Sequence, residues 1–217
     1  MAVIPFSQAL RERTWSGHGD SEGADFMTDL MKGKGTREDY IALVAQHYFV
    51  YEALEVAATT FAGDPEVEPF LSPALTRMPA LEADLEFLLG ADWRDQIAPL
   101  PSAVEYVARI RRISAERWAG GFVAHHYTRY LGDLSGGQHI CRLMQRHFGF
   151  ETNGVGFYLF DEIADPAEFK NHYRAELDAI GWDDAERERV IDEVLTAYRF
   201  NTQLFVDLAD AKATAVA

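Results

Sequence analysis

The 217-residue sequence predicts an all-α fold in a single domain, on three observations. Apolar residues recur at helical spacing through most of the chain. Strand-like alternation is scarce. The punctuation is that of helices, with Pro, Ser or Asp at the starts and Gly at the stops. Seven or eight helices without paired strands can bury their apolar faces only on one another. Apolar residues make up 48% of the chain, enough for a sizeable core.

Taken in order, Leu43, Tyr51, Leu54 and Ala58 mark one face of a helix over residues 37–61, which Gly63-Asp64-Pro65 ends. Pro73 opens a helix to about Leu89, stopped by Gly90. Pro101-Ser102 opens the next, with Val104, Val107, Ile110 and Ile113 on one side. Gly120-Gly121 punctuates the chain before a long helix over residues 122–147. Asp165-Pro166 starts a helix to about Ile180, and the last runs from Asp184 to Leu208. No repeat or low-complexity linker divides the chain. The domain is bounded at residues 1–210, with a small-residue tail at 211–217 expected to be disordered.

Asp and Glu number 35 against 20 Lys and Arg, a formal charge of −15. That balance excludes a general nucleic-acid binder and disfavours an anionic membrane surface. No apolar run approaches the ~20 residues of a membrane span, and the N-terminus lacks a signal-peptide pattern. One cysteine, Cys141, excludes an internal disulfide framework and Cys-rich metal sites, and fits a reducing cytoplasm. A monomer is the starting expectation.

The long central helix breaks the propensity rules. Gly132, Gly136 and Gly137 sit in its middle, each costing about 1 kcal/mol relative to Ala. Two readings compete. Gly132 and Gly136, four apart on one face, suit a tight helix–helix crossing. They equally suit a surface cleared for something flat, on a helix free to bend. Asp133 is the only acidic residue of this stretch. Arg129, one turn earlier, can pair with it directly or through water.

Of the seven histidines, 18, 47, 125, 126, 139, 147 and 172, His18 stands out because Glu22 follows one turn later. A metal-ligating imidazole usually gives its second ring N–H to such an acceptor. A solvated i,i+4 pair is the competing reading. His125 and His126 are adjacent, so they point in different directions and are read as structural.

Twelve consecutive residues, Tyr127-Thr128-Arg129-Tyr130-Leu131-Gly132-Asp133-Leu134-Ser135-Gly136-Gly137-Gln138, resemble the distal-helix signature of the haem oxygenase family. The similarity extends from about Arg11 to about Leu208 and includes Phe26-Met27-Thr28-Asp29-Leu30, Tyr51-Glu52-Ala53-Leu54-Glu55, Gly156-Phe157-Tyr158-Leu159-Phe160 and Phe200-Asn201-Thr202-Gln203-Leu204-Phe205. It implies one helical domain with haem between a proximal and a distal helix. The family's proximal His, followed by Glu four residues on and then a Phe-Met pair, corresponds to His18, Glu22 and Phe26-Met27, making His18 the axial iron ligand. Gly17 and Gly19 flank it where the family carries better helix formers, so the proximal helix is expected to be looser there.

The same resemblance makes Asp133 the distal aspartate that organises water near bound dioxygen, with Arg129, Gly132 and Gly136 completing the catalytic face. Arg11, Tyr127, Lys170 and Arg174 are implied as the propionate contacts. Tyr51, Phe200 and Asn201 are implied as further pocket or network residues. The implied reaction opens haem b, both substrate and cofactor, with O2 and electrons from an external reductase or ferredoxin. Its products are biliverdin, taken as the alpha isomer, CO and ferrous iron. The electron donor is the one expected protein partner, with no nucleic acid and no membrane, and the expected location is cytoplasmic.

Four rivals remain. A di-iron oxidase wants Glu-x-x-His pairs, and no histidine here has Glu three residues before it. A thiaminase-like hydrolase wants a nucleophilic Cys, and Cys141 has no distinguishing context. A haem carrier without turnover, or a cofactor-free helical interaction protein, leaves Asp133 and the glycines without a purpose.

Overall fold

The computed structural model describes the backbone of residues 4–22 and 25–216, and the side chains of residues 4–15 and 25–214. All regular structure among the described residues is helical. The helices are α1 (Phe6–Glu22), α2 (Asp25–Met31), α3 (Arg37–Thr60), α4 (Met78–Leu89), the single turn α5 (Trp93–Gln96), α6 (Pro101–Ala115), α7 (Ala119–His126), α8 (Gln138–Phe148), α9 (Pro166–Ala179) and α10 (Asp184–Val216). Two π-helical stretches, Tyr127–Leu131 and Asp133–Gly137, join α7 to α8 in one long, locally widened helix.

Local chemistry sets most boundaries. Thr36 caps α3 through a reciprocal box. Its hydroxyl accepts from Asp39 N at 3.1 Å, and Asp39 Oδ2 accepts from Thr36 N at 2.7 Å. Asp165 caps α9 by accepting from Ala167 N and Glu168 N, with Pro166 in the first turn. Gly149 ends α8 at φ 72°, a left-handed conformation that glycine reaches without strain.

The structure departs from the sequence reading in four places. Pro73 opens only a 3-10 turn, Pro73–Leu75, because Thr76 turns extended. The α-helix restarts at Met78, with Pro79 in its first turn. Gly120 and Gly121 lie inside the first turn of α7 rather than before it. A Cβ on Gly120 would sit 2.7 Å from Val190 of α10, and one on Gly121 would sit 2.4 Å from the Trp118 ring, so both glycines permit close packing. The α1 backbone stays helical through Gly17 and Gly19. Finally, α10 continues through the expected tail to Val216. Its last residues alternate with alanine and hold no breaker, and Lys212 Nζ reaches Asp39 Oδ2 at 2.7 Å.

The spine of the molecule is α10, which packs on α1, α2, α3, α6 and α7. Two apolar cores form around it. One joins α2, the first half of α3, α4 and α8 through residues such as Leu30, Leu43, Leu85 and Met144. The other joins α1, the second half of α3, α6, α7 and α9 through Leu10, Leu54, Ile110, Phe122 and Leu177. A buried polar network ties α6, α7 and α10 together. Arg109 donates to both oxygens of Glu193, and His125 Nε2 lies 2.8 Å from Glu193 Oε1. Burial opposes the charge on Glu193, but the hydrogen bonds from Arg109 and His125 outweigh it and hold the carboxyl down at about 2. Ionised Glu193 accepts, so His125 donates from Nε2 and its Nδ1 accepts from the Tyr106 hydroxyl at 3.3 Å.

His126 is buried beside it, with Nδ1 at 3.0 Å from the Tyr173 hydroxyl. Burial alone pushes its pKa down to about 3. Above pH 6.5 both folded and unfolded states hold this imidazole neutral. Between pH 6.5 and about 3 only the unfolded state takes the proton, so stability is lost as pH falls through that window. In urea unfolding, the stability of the wild type relative to His126→Phe is expected to fall by about 1.4 kcal/mol per pH unit once the pH is well below 6.5. A difference constant with pH would contradict a neutral buried His126.

Candidate active site: a cavity along the glycine turns

A cavity of about 520 Å³ opens where α2, α3, α8, α10 and the widened helix converge. Its walls include Met27, Leu43, His47, Arg129, Gly132, Asp133, Gly136, Tyr158, Asn201 and Phe205. The π turns lie along one wall, an arrangement frequent at functional sites.

The glycines divide into two kinds. A Cβ on Gly132 or Gly136 would meet nothing within 4 Å. One on Gly137 would lie 2.9 Å from the Tyr158 ring. Gly137 is therefore a packing glycine, whereas Gly132 and Gly136 leave bare backbone beside open space. A helix crossing would have filled that space, so the structure decides for the cleared surface. The cradle fits a flat macrocycle, which can approach backbone where no side chain intervenes.

Asp133 is half-buried on this wall, and Tyr51 of α3 donates its hydroxyl to Asp133 Oδ2. Burial pushes the Asp133 carboxyl well above the usual range, favouring the neutral acid. Of the two pairings read from the sequence, the direct one between Arg129 and Asp133 is not formed. The Arg129 guanidinium is buried, donates to Asn201 Oδ1 at 2.8 Å and lies 4.9 Å from the Tyr51 ring centre. Turned toward α10, it leaves the carboxyl to Tyr51. Asn201 and Tyr51 are thus neighbours of the site, as read from the sequence.

The implied propionate residues stand off the lining of this cavity, around α1, α9 and the widened helix. Arg11 and Arg174 line one hollow between α1 and α9. Burial raises the Tyr127 hydroxyl, and the charges of Arg174 and Arg11 pull it partly back, so all three lie within electrostatic reach. Lys170 Nζ sits 3.1 Å from Ser135 Oγ, on the second π stretch. His18 and Glu22 fall in the last turns of α1, and their side chains lie outside the described residues.

Phe200 is a correction. It stacks on Tyr106 at 4.8 Å with a 12° tilt, within the second core, because α10 turns residues 201 and 205 toward the cavity instead. His125 and His126 are both taken up by core hydrogen bonds. The sequence reading passed over His47 as a cavity residue, although 47 falls four residues after Leu43 and four before Tyr51, on the stripe already recognised.

A helical domain with a side-chain-free slot and a carboxyl on its wall defines a class of ligand-enclosing helical proteins. Comparison makes the class specific. The "Heme oxygenase" family model matches residues 4–207. The chain is 36% identical over 205 residues to "Heme oxygenase 1" of Synechocystis, covering 94% of this chain and 85% of that one. It is 37% identical over 207 residues to human "Heme oxygenase 1", covering 94% and 72%. The crystal structure of heme oxygenase-1 from Synechocystis in complex with heme superimposes with a TM-score of 0.90 at 34% identity, covering 98% of both chains. The chain belongs to the haem oxygenase family.

The two kinds of glycine make opposite stability predictions for the ligand-free protein. Gly132→Ala and Gly136→Ala are each expected to stabilise it by about 0.5–1 kcal/mol, the helix-propensity gain with nothing to clash. Gly137→Ala is expected to destabilise it, since the Tyr158 ring is clamped from behind. Urea melts check this, and a loss of stability at Gly132 or Gly136 would mean their Cβ space is not free.

Proposed function

We propose that the chain opens haem oxidatively, using O2 and external electrons, to biliverdin, CO and ferrous iron. The observation that carries this is the bare backbone at Gly132 and Gly136 facing open cavity beside the Asp133 carboxyl, whose pKa burial raises. When bound, haem supplies the redox and dioxygen chemistry and is itself cleaved, while the protein supplies orientation and protons.

His18, on α1, would ligate the haem iron, and Glu22 one turn later in sequence would accept its second ring N–H. Arg11, Tyr127, Lys170 and Arg174 would hold the propionates and so select which edge of the ring is turned toward Asp133. Gly132 and Gly136, with no side chain beside the open space, would leave room for a flat ring against the backbone. Asp133, favoured as the neutral acid, gives a proton to cavity water and recovers one. Tyr51 fixes its orientation through Oδ2, and the Arg129–Asn201 bond holds the guanidinium that underlies Tyr51. Electrons come from a ferredoxin or a flavoprotein reductase. The single cysteine, buried and free, suits a cytoplasmic setting.

Hemin reconstitution followed by ascorbate or a reductase in air is expected to lose the Soret band and gain a biliverdin band. Asp133→Ala is expected to bind hemin normally and lose turnover about 100-fold or more, the usual size of a proton-transfer contribution. An unchanged biliverdin yield removes Asp133 from the mechanism. His18→Ala is expected to change the ferric spectrum, and an unaltered one rejects the ligand assignment.

Cleavage is proposed at the alpha-meso carbon, with the propionate contacts as support. Chromatography of the product should give one isomer from the wild type and a mixture from the Lys170→Glu, Arg174→Glu double variant. A single unchanged isomer from that variant would place control of ring rotation elsewhere.

A further inference from the structure

Two polar atoms on the cavity wall have no role in the reading above. Tyr158 is 1% exposed and His47 is 6% exposed, yet the Tyr158 hydroxyl and His47 Nδ1 have no hydrogen-bond partner among the described residues. Both residues line the cavity that holds Asp133. A buried hydroxyl or ring nitrogen left unpaired is costly, and native structures almost always supply a partner, often ordered water.

The placement of Tyr158 is heavily determined. Asp84 accepts from three backbone N–H groups of its segment, Gly154 at 2.8 Å, Gly156 at 3.0 Å and Phe157 at 2.8 Å. The Arg77 guanidinium donates to the Phe157 and Leu159 carbonyls. Gln138 Nε2 donates to the Tyr158 carbonyl at 2.8 Å, and Gly137 makes room for the ring. Phenylalanine would satisfy every one of these contacts. The hydroxyl is the one part of the residue that the packing does not explain. It lies close enough to Asp133 and Arg129 to feel both charges. His47 packs on Phe157, the neighbour of Tyr158, at 5.0 Å between ring centres, and burial followed by the charge of Arg129 keeps its imidazole neutral.

We propose that Tyr158 and His47 are positioning residues that hold ordered water at the inner wall of the cavity and connect it to the Asp133 carboxyl. Such water needs two to four polar partners and a roomy polar site. The Tyr158 hydroxyl, His47 Nδ1, the equally unpartnered Arg129 Nε and the Asp133 carboxyl provide that number. Its consequence for turnover rests on the haem oxygenase reading, whereas the water itself does not.

The test has two arms. A high-resolution crystal structure of the hemin-free full chain is expected to show ordered water within hydrogen-bond distance of Tyr158 Oη and His47 Nδ1. A dry wall at both atoms overturns the proposal, whatever the protein does with haem. In the hemin-loaded protein, Tyr158→Phe and His47→Leu are expected to keep hemin affinity, to shift the midpoint of the ferric acid–alkaline optical transition, and each to slow biliverdin formation about fivefold, one hydrogen bond's worth. His47→Gln, which retains a hydrogen-bonding side chain, is expected to recover most of the rate lost in His47→Leu. Wild-type midpoint and rate in both Tyr158→Phe and His47→Leu would also overturn it. A wild type that binds hemin without cleaving it overturns the function proposed above and leaves the crystallographic arm to decide the water.

Discussion

Everything at the site follows from one constraint: a long helix must run beside a wide cavity without putting side chains into it. Helices do this poorly, since each residue carries a Cβ and the residues that lack one weaken the helix. Here two glycines face the opening, a third yields to a neighbouring ring, and the turns around them widen to π geometry. The weakened stretch is flanked by two hydrogen-bonded polar anchors. Behind α7 stands the Arg109–Glu193–His125 network, and in front of α8 lies the segment tied down by Asp84 and Arg77.

That support also explains the polar chemistry. Arg129 is drawn away from the acid one turn later because α10 offers it Asn201. The acid then has a tyrosine for company instead of a cation. No cation pairs directly with this carboxyl among the described residues, and burial raises the Asp133 pKa. A salt bridge at the same place would have produced a firmly ionised group, unable to deliver a proton.

The helical class, most helix starts and stops, and the unusual character of residues 132–137 were legible in the sequence because they depend on local rules. Asp165, Gly90 and Pro101 act through their immediate neighbours, and periodicity reports buried faces. The rest depended on contacts distant in sequence. Nothing near Arg129 says that residue 201 will be its partner. Nothing near Phe200 says that α10 rotates residues 201 and 205 into the cavity and leaves it against Tyr106. Gly120 looked like a stop because its real reason, the approach of Val190, lies 70 positions away. His47 could have been found by counting fours from Leu43 to Tyr51. The purpose of Gly132 and Gly136 could not, since a crossing and a cradle look identical until the space above them is seen. The family resemblance covered that gap for the residues it names, and had nothing to say about His47.

The open slot has a bearing on how long the molecule survives. A guest that fills it contributes to folding free energy in proportion to the logarithm of its concentration over its dissociation constant. Without that guest, the glycine stretch carries its propensity deficit uncompensated, and local opening there becomes easier. Because this enzyme destroys what it binds, each round of catalysis also discards its own stabiliser. Proteolysis samples opened states, so the emptied protein is the more exposed of the two forms.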